Sequence, residues 1–257
     1  MKIVVCVKQV PDSAAKVVAE NGQVNWGDAP LVINPWDEYA VEGALLQKEA
    51  QGGDVTVISI GGENAKEALK DALAMGCSDA ILISDPALGK LDSQGIARVL
   101  AAAIQKLGGV ELVFLGRQAI DSDTGVTTAQ TARVLGWPAL TLVSAIKSVD
   151  GGSIQVERSM EEGHQGISAK LPAVISVVKD FAEPRYPSFM GIRKASRAVI
   201  PVWSLADLGI PAPASVVAWP KVMNPPARAV TTEIISGGSP QEIAEKLVDR
   251  ILAEKVL

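Results

Sequence analysis

Short, nearly continuous apolar runs alternate with longer periodic segments through the first two-thirds of the chain. The runs cover residues 3–7, 55–60, 80–83 and 112–115. Strands covered on both faces have this pattern, whereas a strand with one solvated face alternates between apolar and polar residues. The sequence therefore predicts four buried strands of a parallel sheet.

Helical periodicity fills the segments between these runs. The first helix is predicted to begin after Asn34, a residue type that can cap it, and to end at Gly52-Gly53. Pro35 fits the first helical turn. Three further helices are predicted over residues 63–74, 93–107 and 123–135, and Asp92 is expected to cap the second of these.

This alternation of strand and helix indicates the α/β class, with a doubly wound, mostly parallel sheet and helices on both faces. Residues 154–158 and 173–178 predict two more strands, the first preceded by a turn at Gly151-Gly152. The expected α/β domain covers residues 1–182.

The remainder of the chain is rich in proline and lacks the alternation of strand and helix patterns. Eight of its 15 prolines fall between Pro184 and Pro226, so this stretch is expected to run along another surface. Ser239 and Glu242 form a capping box that opens a C-terminal helix with an apolar stripe. We therefore expect a loop over residues 183–197 and an extended arm with a C-terminal helix over residues 198–257.

Composition limits the classes of function. The chain has 257 residues and a net charge of −5, which argues against a generally basic surface for nucleic acid. No apolar run is long enough to predict a membrane span, and the first residues are predicted to form a strand rather than a signal peptide. Cys6 and Cys77 are far apart and apolar in context, which favours a reducing cytoplasm.

Catalytic side chains are scarce. His164, the only histidine, lies in a polar segment predicted to be a solvated loop. Cys6 is expected to be structural. The sequence has no nucleophile elbow, no metal-ligand cluster, no phosphate loop and no dinucleotide fingerprint. We therefore predict neither a catalytic residue nor a metal site.

A nucleotide could be held at the end of the fourth strand. The polar loop 116–123 leads there into a helix expected to start near Thr124, and such a helix start is an anion site. The amides of residues 124–128, with the threonine hydroxyls, could bind phosphate, while Asp121 and Asp123 would cap the helix or bind Arg117. An ordinary capped helix explains the same spacing equally well.

Residues 183–194 combine apolar and basic side chains. Phe189 and Met190 stand between prolines and a glycine, and no acidic residue occurs from Pro184 to Ala206. An apolar tip flanked by positive charge suits docking onto an acidic protein surface. The alternative is that Phe189 packs into the chain's own core.

Several motifs in order resemble the β subunit of electron-transfer flavoproteins over essentially the whole chain. The motifs are VKQVPD at residues 7–12, NPWDEYAVE at 34–42, LGRQAID at 115–121, EPRY at 183–186, and the stretch from Val156 to Ser176. The resemblance implies a heterodimer in which a homologous α subunit binds most of the redox-active FAD. The β subunit then holds AMP in an adenine-nucleotide-binding domain, has no active site of its own, and packs its C-terminal helix on the α subunit.

The resemblance also implies site residues. Electrons would pass between flavin-dependent dehydrogenases, such as the acyl-CoA dehydrogenases of fatty acid β-oxidation, and an acceptor such as a quinone oxidoreductase. The family usually carries a smaller aliphatic residue where Phe189 stands, which leaves the identity of the partner open. The implied nucleotide-binding residues are Cys6, Asn34, Pro35, Trp36, Asp37, Ile60, Asp121, Ser122, Asp123, Thr124, Gly125, Val126, Thr127, Thr128, Gln130, Thr131 and Ala132, and the implied docking residues are Glu183, Arg185, Tyr186, Phe189, Met190, Ile192, Arg193 and Lys194.

One branch of the family bifurcates electrons from NADH and carries a second FAD in place of AMP. The segments 34–37 and 120–124 resemble that branch, whereas residues 126–128 depart from its usual Gln-Val-Gly. The sequence therefore leaves AMP and a second FAD open. A free-standing nucleotide sensor or hydrolase of the same fold is the other hypothesis, and it would have no need of the proline-rich basic arm.

Overall fold

The computed structural model describes residues 1–227, 229 and 232–254. It divides into two compact units, Met1–Val222 and Met223–Leu257. Of the predicted arm and C-terminal helix, residues 228, 230, 231 and 255–257 lie outside the described residues. The predicted boundaries at residues 182 and 197 stay predictions.

The first unit contains all the strands of the described chain. The strands are β1 (Lys2–Cys6), β2 (Gln9–Pro11), β3 (Val18–Glu20), β4 (Gln23–Asn25), β5 (Leu31–Ile33), β6 (Asp54–Ile60), β7 (Asp79–Ile83), β8 (Leu112–Gly116), β9 (Ala139–Asp150), β10 (Ser153–Met160), β11 (Gly163–Lys170), β12 (Ala173–Val177) and β13 (Val202–Trp203). The helices are α1 (Pro35–Gln51), α2 (Lys66–Met75), α3 (Ser93–Leu107), α4 (Thr127–Leu135), α5 (Phe189–Ser196) and, in the second unit, α6 (Pro240–Ala253).

The main sheet has the strand order β11-β10-β9-β12-β8-β1-β6-β7-β13. In this spatial order, the seven strands from β9 to β13 pair in parallel. The strands β10 and β11 extend the β9 edge with antiparallel pairing. The chain proceeds from β1 to β6 and β7 on one side, then crosses to β8 and β12 on the other. The order therefore reverses between β1 and β8, and in such sheets ligands bind in the crevice beyond the carboxyl ends of the strands at this reversal.

Alternate residues of the central strands pack on opposite faces of the sheet. Ile3, Val5 and Phe114 share a buried cluster with side chains of α1 and α2. Val4 and Val113 belong to a second cluster with side chains of α3 and α4. Both faces are covered, so the predicted doubly wound fold is confirmed, and the continuous apolar runs follow from it.

The four predicted central strands and the first three helices are confirmed with shifts of a few residues at their ends, and Asp92 caps α3 through a bond from the Gly95 amide. The expected turn at Gly151-Gly152 joins β9 to β10. The short strands β2 to β5 and β13 were not predicted, and the segment 183–197, expected to be a loop, contains the helix α5. Strands β9 and β11 were not predicted, because their half-exposed residues are mixed in polarity. The prediction that His164 lies in a loop is wrong, because this residue is on β11 and pairs with Ser159.

The second unit contains α6, and its capping box is confirmed. The Ser239 hydroxyl accepts from the Glu242 amide, and the Glu242 carboxylate accepts from the Ser239 amide. None of the described residues of α6 is buried, and Leu247 on its apolar stripe is half exposed. No helix in the described part of the chain is both long and apolar enough to cross a lipid bilayer.

Candidate functional site

Asp37 links the ends of two central strands at the point where the strand order reverses. Its Oδ2 accepts from the backbone of Lys8, which follows β1, at 2.8 Å. Its Oδ1 accepts from the backbone of Gly116, the last residue of β8, at 3.2 Å. Burial raises the pKa of this carboxyl to about 7, although the hydrogen bonds from Lys8, Asn34 and Gly116 oppose the increase. The start of α1 is thereby fixed at the mouth of the crevice.

The prediction that Asn34 caps α1 through its side chain is wrong. The side chain instead binds the loop that follows β8. Among the described residues its side chain caps no amide of the helix. Its Nδ2 donates to the Gln118 carbonyl at 2.8 Å, and its Oδ1 accepts from the Ile120 amide at 3.1 Å. Because Asn34 is fully buried, these two bonds satisfy an amide that would be costly to bury alone. They hold the loop against the start of α1.

Two acidic residues of this loop have partners other than the predicted ones. Asp121 forms an ion pair with Lys8, with Nζ and Oδ2 2.6 Å apart. Asp123 accepts from the Gln118 side chain. The prediction that these carboxylates cap the following helix or bind Arg117 is therefore wrong. The Arg117 guanidinium lies instead over the Trp36 ring, 5.6 Å from its centroid.

Helix α4 begins at Thr127, three residues later than the predicted start near Thr124. Asp123 and Gly125 both have positive φ, which a helix does not allow, so the chain enters the helix only after them. Val126 stands at the N-cap position, and no side chain of the described chain caps the first turn. By contrast, Asp92 caps α3. The first amides of α4 therefore have no side-chain acceptor among the described residues.

Buried polar atoms of α4 also lack partners. Within residues 1–227, 229 and 232–254, the buried side-chain oxygens with no hydrogen bond are Ser59 Oγ, Gln130 Oε1 and Thr131 Oγ1. Ser59 and Thr131 are fully buried. A buried hydroxyl without a partner costs about 1–3 kcal/mol, so native proteins usually satisfy it. An adenine nucleotide, with ring nitrogens, ribose hydroxyls and phosphate oxygens, fits Gln130 Oε1, Thr131 Oγ1 and the uncapped amides of α4.

The remaining predicted nucleotide-binding residues converge on the same edge of the sheet. Cys6 and Ile60 end β1 and β6, and both pack in one apolar cluster with Ala132 of α4. Burial raises the pKa of the Cys6 thiol far above its ordinary value, which makes it unreactive at neutral pH. Thr128 is buried, whereas residues 122–126 are exposed. Sequence reasoning did not include Lys8 and Gly116, whose backbone nitrogens bind Asp37, although both stand in the motifs at residues 7–12 and 115–121.

The sole histidine of the sequence, His164, lies on the edge strand β11. His164 Nδ1 lies 3.5 Å from Glu157 on the exposed antiparallel edge of the sheet. No set of three or more His, Cys, Asp or Glu side chains among the described residues could hold a metal ion.

The predicted docking residues form a second feature on and before α5. Ser188 caps this helix, and Phe189, its first residue, is 80% exposed. Phe189 therefore does not pack into the chain's own core. Met190, Ile192 and Tyr186 are also exposed. A docking role for these residues stays a prediction.

The basic residues of this feature divide into two groups. Arg193 and Lys194 are exposed on the last turn of α5. Arg185 instead binds Glu42 and Glu49 of α1, and the predicted contact of its side chain with a partner protein stays a prediction. Glu183 is exposed.

Comparison with known proteins adds to this geometry. The sequence model of the "Electron transfer flavoprotein domain" matches residues 23–208. The subunit CarD of the caffeyl-CoA reductase-Etf complex of Acetobacterium woodii is 38% identical over the whole of both chains. The electron transfer flavoprotein subunit beta of Megasphaera elsdenii is 36% identical over the same extent, and the acryloyl-CoA reductase electron transfer subunit gamma of Anaerotignum propionicum is 34% identical.

Proposed function

This chain belongs to the electron transfer flavoprotein family as a homologue of its beta subunits, and on that premise we propose that it is one half of a heterodimeric electron carrier. Its partner subunit is a homologous α subunit that binds most of an FAD. The FAD, when bound, accepts and releases the electrons. The residues of this chain position that cofactor and the partner proteins, so the carrier needs no acid, base or nucleophile from it.

We further propose that this chain holds one adenine nucleotide, AMP, in the crevice between β1 and β8. The observation that carries this proposal is the pair of unpartnered buried atoms, Gln130 Oε1 and Thr131 Oγ1, on a helix whose first amides have no cap among the described side chains. The amides at residues 127–129 would face the phosphate, since a helix start favours an anion. Thr131 and Gln130 would bind polar atoms further inside the crevice.

Asp37, Asn34 and Lys8 build the walls of this nucleotide site. They bind the loop 116–121 to the end of β1 and the start of α1, as described above. A wall held by partly buried hydrogen bonds keeps its shape when the nucleotide is absent, and this preorganisation favours a retained, structural nucleotide over an exchanging one.

The partner enzyme is proposed to be a flavoenzyme that acts on CoA thioesters, such as an acyl-CoA dehydrogenase. Two of the relatives described above carry the names of CoA-thioester reductase systems, which supports this class. The exposed apolar residues Phe189 and Met190 would form the contact, and a small contact of this kind suits fast exchange between redox partners. A quinone oxidoreductase is a suitable downstream acceptor.

A second candidate function is an electron-bifurcating carrier, with a second FAD in place of AMP and NADH as the donor. The segment Asn34-Pro35-Trp36-Asp37 favours it, together with the Ile120–Thr124 sequence. Arg117 over Trp36 adds an exposed cation at the mouth of the crevice, where the diphosphate of a larger nucleotide would lie.

Coexpression with the α subunit tests the carrier proposal. We expect the two chains to purify as a 1:1 heterodimer whose FAD is reduced by an acyl-CoA dehydrogenase with its substrate. A chain that purifies alone as a stable monomer and does not associate with the α subunit would contradict the proposal and favour a free-standing nucleotide sensor.

A further inference from the structure

Arg185 lies where the proposed docking segment, residues 183–197, leaves the α/β body. Its backbone nitrogen and Nε both donate to Glu42 Oε2, at 3.0 and 2.8 Å. Its Nη2 donates to Glu42 Oε1 at 2.8 Å, and its Nη1 donates to Glu49 Oε1 at 2.6 Å. A single side chain is thus bound through its guanidinium and its own backbone to one helix, α1.

The ion pair between Arg185 and Glu42 fixes the orientation of the guanidinium as well as its distance from the carboxylate. A planar guanidinium bound through two nitrogens to both oxygens of one carboxylate allows little rotation, in contrast to a lysine ammonium. Glu42 is 4% exposed, so it cannot reach a partner protein. Any influence of Glu42 on docking is therefore indirect, and its hydrogen-bonded contact in the docking segment is Arg185.

The rest of the segment is fixed by close packing on α2. A Cβ added to Gly191 would lie 2.2 Å from the Ala74 carbonyl oxygen, so α5 and α2 are in backbone contact there. Ala195, one turn later, is buried on the same side. This packing turns Phe189 and Met190 toward solvent, where both are largely exposed.

We infer that Arg185 is a positioning residue for docking: it binds Glu42 on α1 and so sets where Phe189 is presented, without itself touching the partner enzyme. The inference rests on the docking role proposed above for Phe189. With Arg185 fixed at the start and Gly191 against α2, the segment is presented in one conformation before encounter. Binding then costs little ordering entropy.

Kinetics of the purified heterodimer with an acyl-CoA dehydrogenase test this inference. Glu42→Gln removes the negative charge and replaces one of the two acceptor oxygens by an NH2 donor, at a buried position that no partner can reach. We expect the KM for the flavoprotein to rise about tenfold, as for Arg185→Lys, while kcat, FAD content and nucleotide content stay unchanged. The two substitutions combined should raise KM no more than either alone, because both break one contact.

Glu49→Gln is the matched control on the same helix. Glu49 is 56% exposed in its side chain and binds a single nitrogen of Arg185, so its loss should change KM less than twofold. Glu42→Asp keeps the negative charge but shortens the side chain by one methylene, which breaks the two-nitrogen contact with Arg185. Its KM tests the same role if Glu42→Gln assembles poorly. Folding of each variant is checked by its melting temperature.

Different variants test the positioning role of Arg185 and the docking role of Phe189. A normal KM in folded Glu42→Gln and Glu42→Asp, with a raised KM in Arg185→Lys, would overturn the positioning role and indicate direct contact by Arg185. A normal KM in Phe189→Ala would instead remove the docking role itself. The dissociation constant for the dehydrogenase, measured at equilibrium without turnover, should follow the KM values.

Discussion

Asp37 and Gly116 are in contact so close that position 116 has no room for a side chain. The Gly116 nitrogen donates to Asp37 Oδ1, and a Cβ added to Gly116 would lie 2.4 Å from that same oxygen. It would also lie 2.6 Å from the Trp36 carbonyl. Glycine is thus required here by the closeness of α1 to the end of β8, and this closeness forms one wall of the nucleotide crevice.

Gly116→Ala should destabilise the chain and reduce the nucleotide content of the heterodimer. Inserting a methyl group into this packed contact should cost about 1–3 kcal/mol, because backbone atoms must move. Urea unfolding measures the stability, and nucleotide analysis of the denatured protein measures the content. Gly166→Ala on the edge strand β11, where a Cβ meets no atom of the described chain within 4 Å, should change neither quantity. Equal behaviour of the two variants would contradict the close contact.

Asp37 should make stability depend on pH. Its folded-state pKa of about 7 lies above its ordinary value of 3.8, so the folded chain keeps a proton that the unfolded chain loses. The stabilisation is therefore fully present below about pH 4 and is lost as the pH rises to about 7. Relative to Asp37→Asn, which does not titrate, the wild-type free energy of unfolding should fall by on the order of 4 kcal/mol over this range. A difference between the two proteins that stays constant from pH 4 to pH 7 would show that Asp37 is ionised in the fold.

Thr131→Val should separate stability from nucleotide binding. The Thr131 hydroxyl has no partner among the described residues, so an isosteric methyl should leave the nucleotide-free chain as stable or about 1 kcal/mol more stable. The affinity for AMP should fall about fivefold to tenfold, since a bond to the ligand is lost. Thr141→Val is the control: its hydroxyl accepts from Arg158, so this variant should lose stability and keep its affinity. An unchanged affinity in Thr131→Val would remove Thr131 from the site.

Phe189→Ala should weaken the contact with the partner dehydrogenase. An exposed aromatic at the centre of an interface contributes about 2 kcal/mol or more, which predicts a rise of at least tenfold in the KM for the flavoprotein. FAD content and melting temperature should not change, because the side chain is 80% exposed. Val134→Ala, at an exposed position on α4 away from the segment, should have normal kinetics. Identical kinetics for both variants would contradict the docking role.

The central strands could be predicted from the sequence because burial on both faces leaves a continuous apolar run. Strand β11 could not, since its residues Gly163–Lys170 are largely exposed and mixed in polarity. The predicted start of α4 was too early, because the pattern of side chains does not reveal that Asp123 and Gly125 adopt positive φ. Local periodicity thus predicts buried elements better than exposed ones.

The nucleotide-binding segments could be identified from motifs, but the contacts among them could not. Lys8 and Asp121 are 113 positions apart, and Glu42 and Arg185 are 143 apart. A sequence shows which side chains could cap or pair, and only the fold decides between a local and a distant partner. Asn34 illustrates this, since a residue suited to capping its own helix binds the loop after β8 instead.

A count of nucleotides tests most directly the claim that this chain holds a nucleotide of its own. The heterodimer is purified, denatured, and analysed for released FAD and AMP per complex. We predict one FAD and one AMP, and two FAD with no AMP would select the bifurcating alternative for the same crevice. One FAD with no second nucleotide, in a heterodimer that is intact and active, would contradict the claim that this chain holds a nucleotide between β1 and β8.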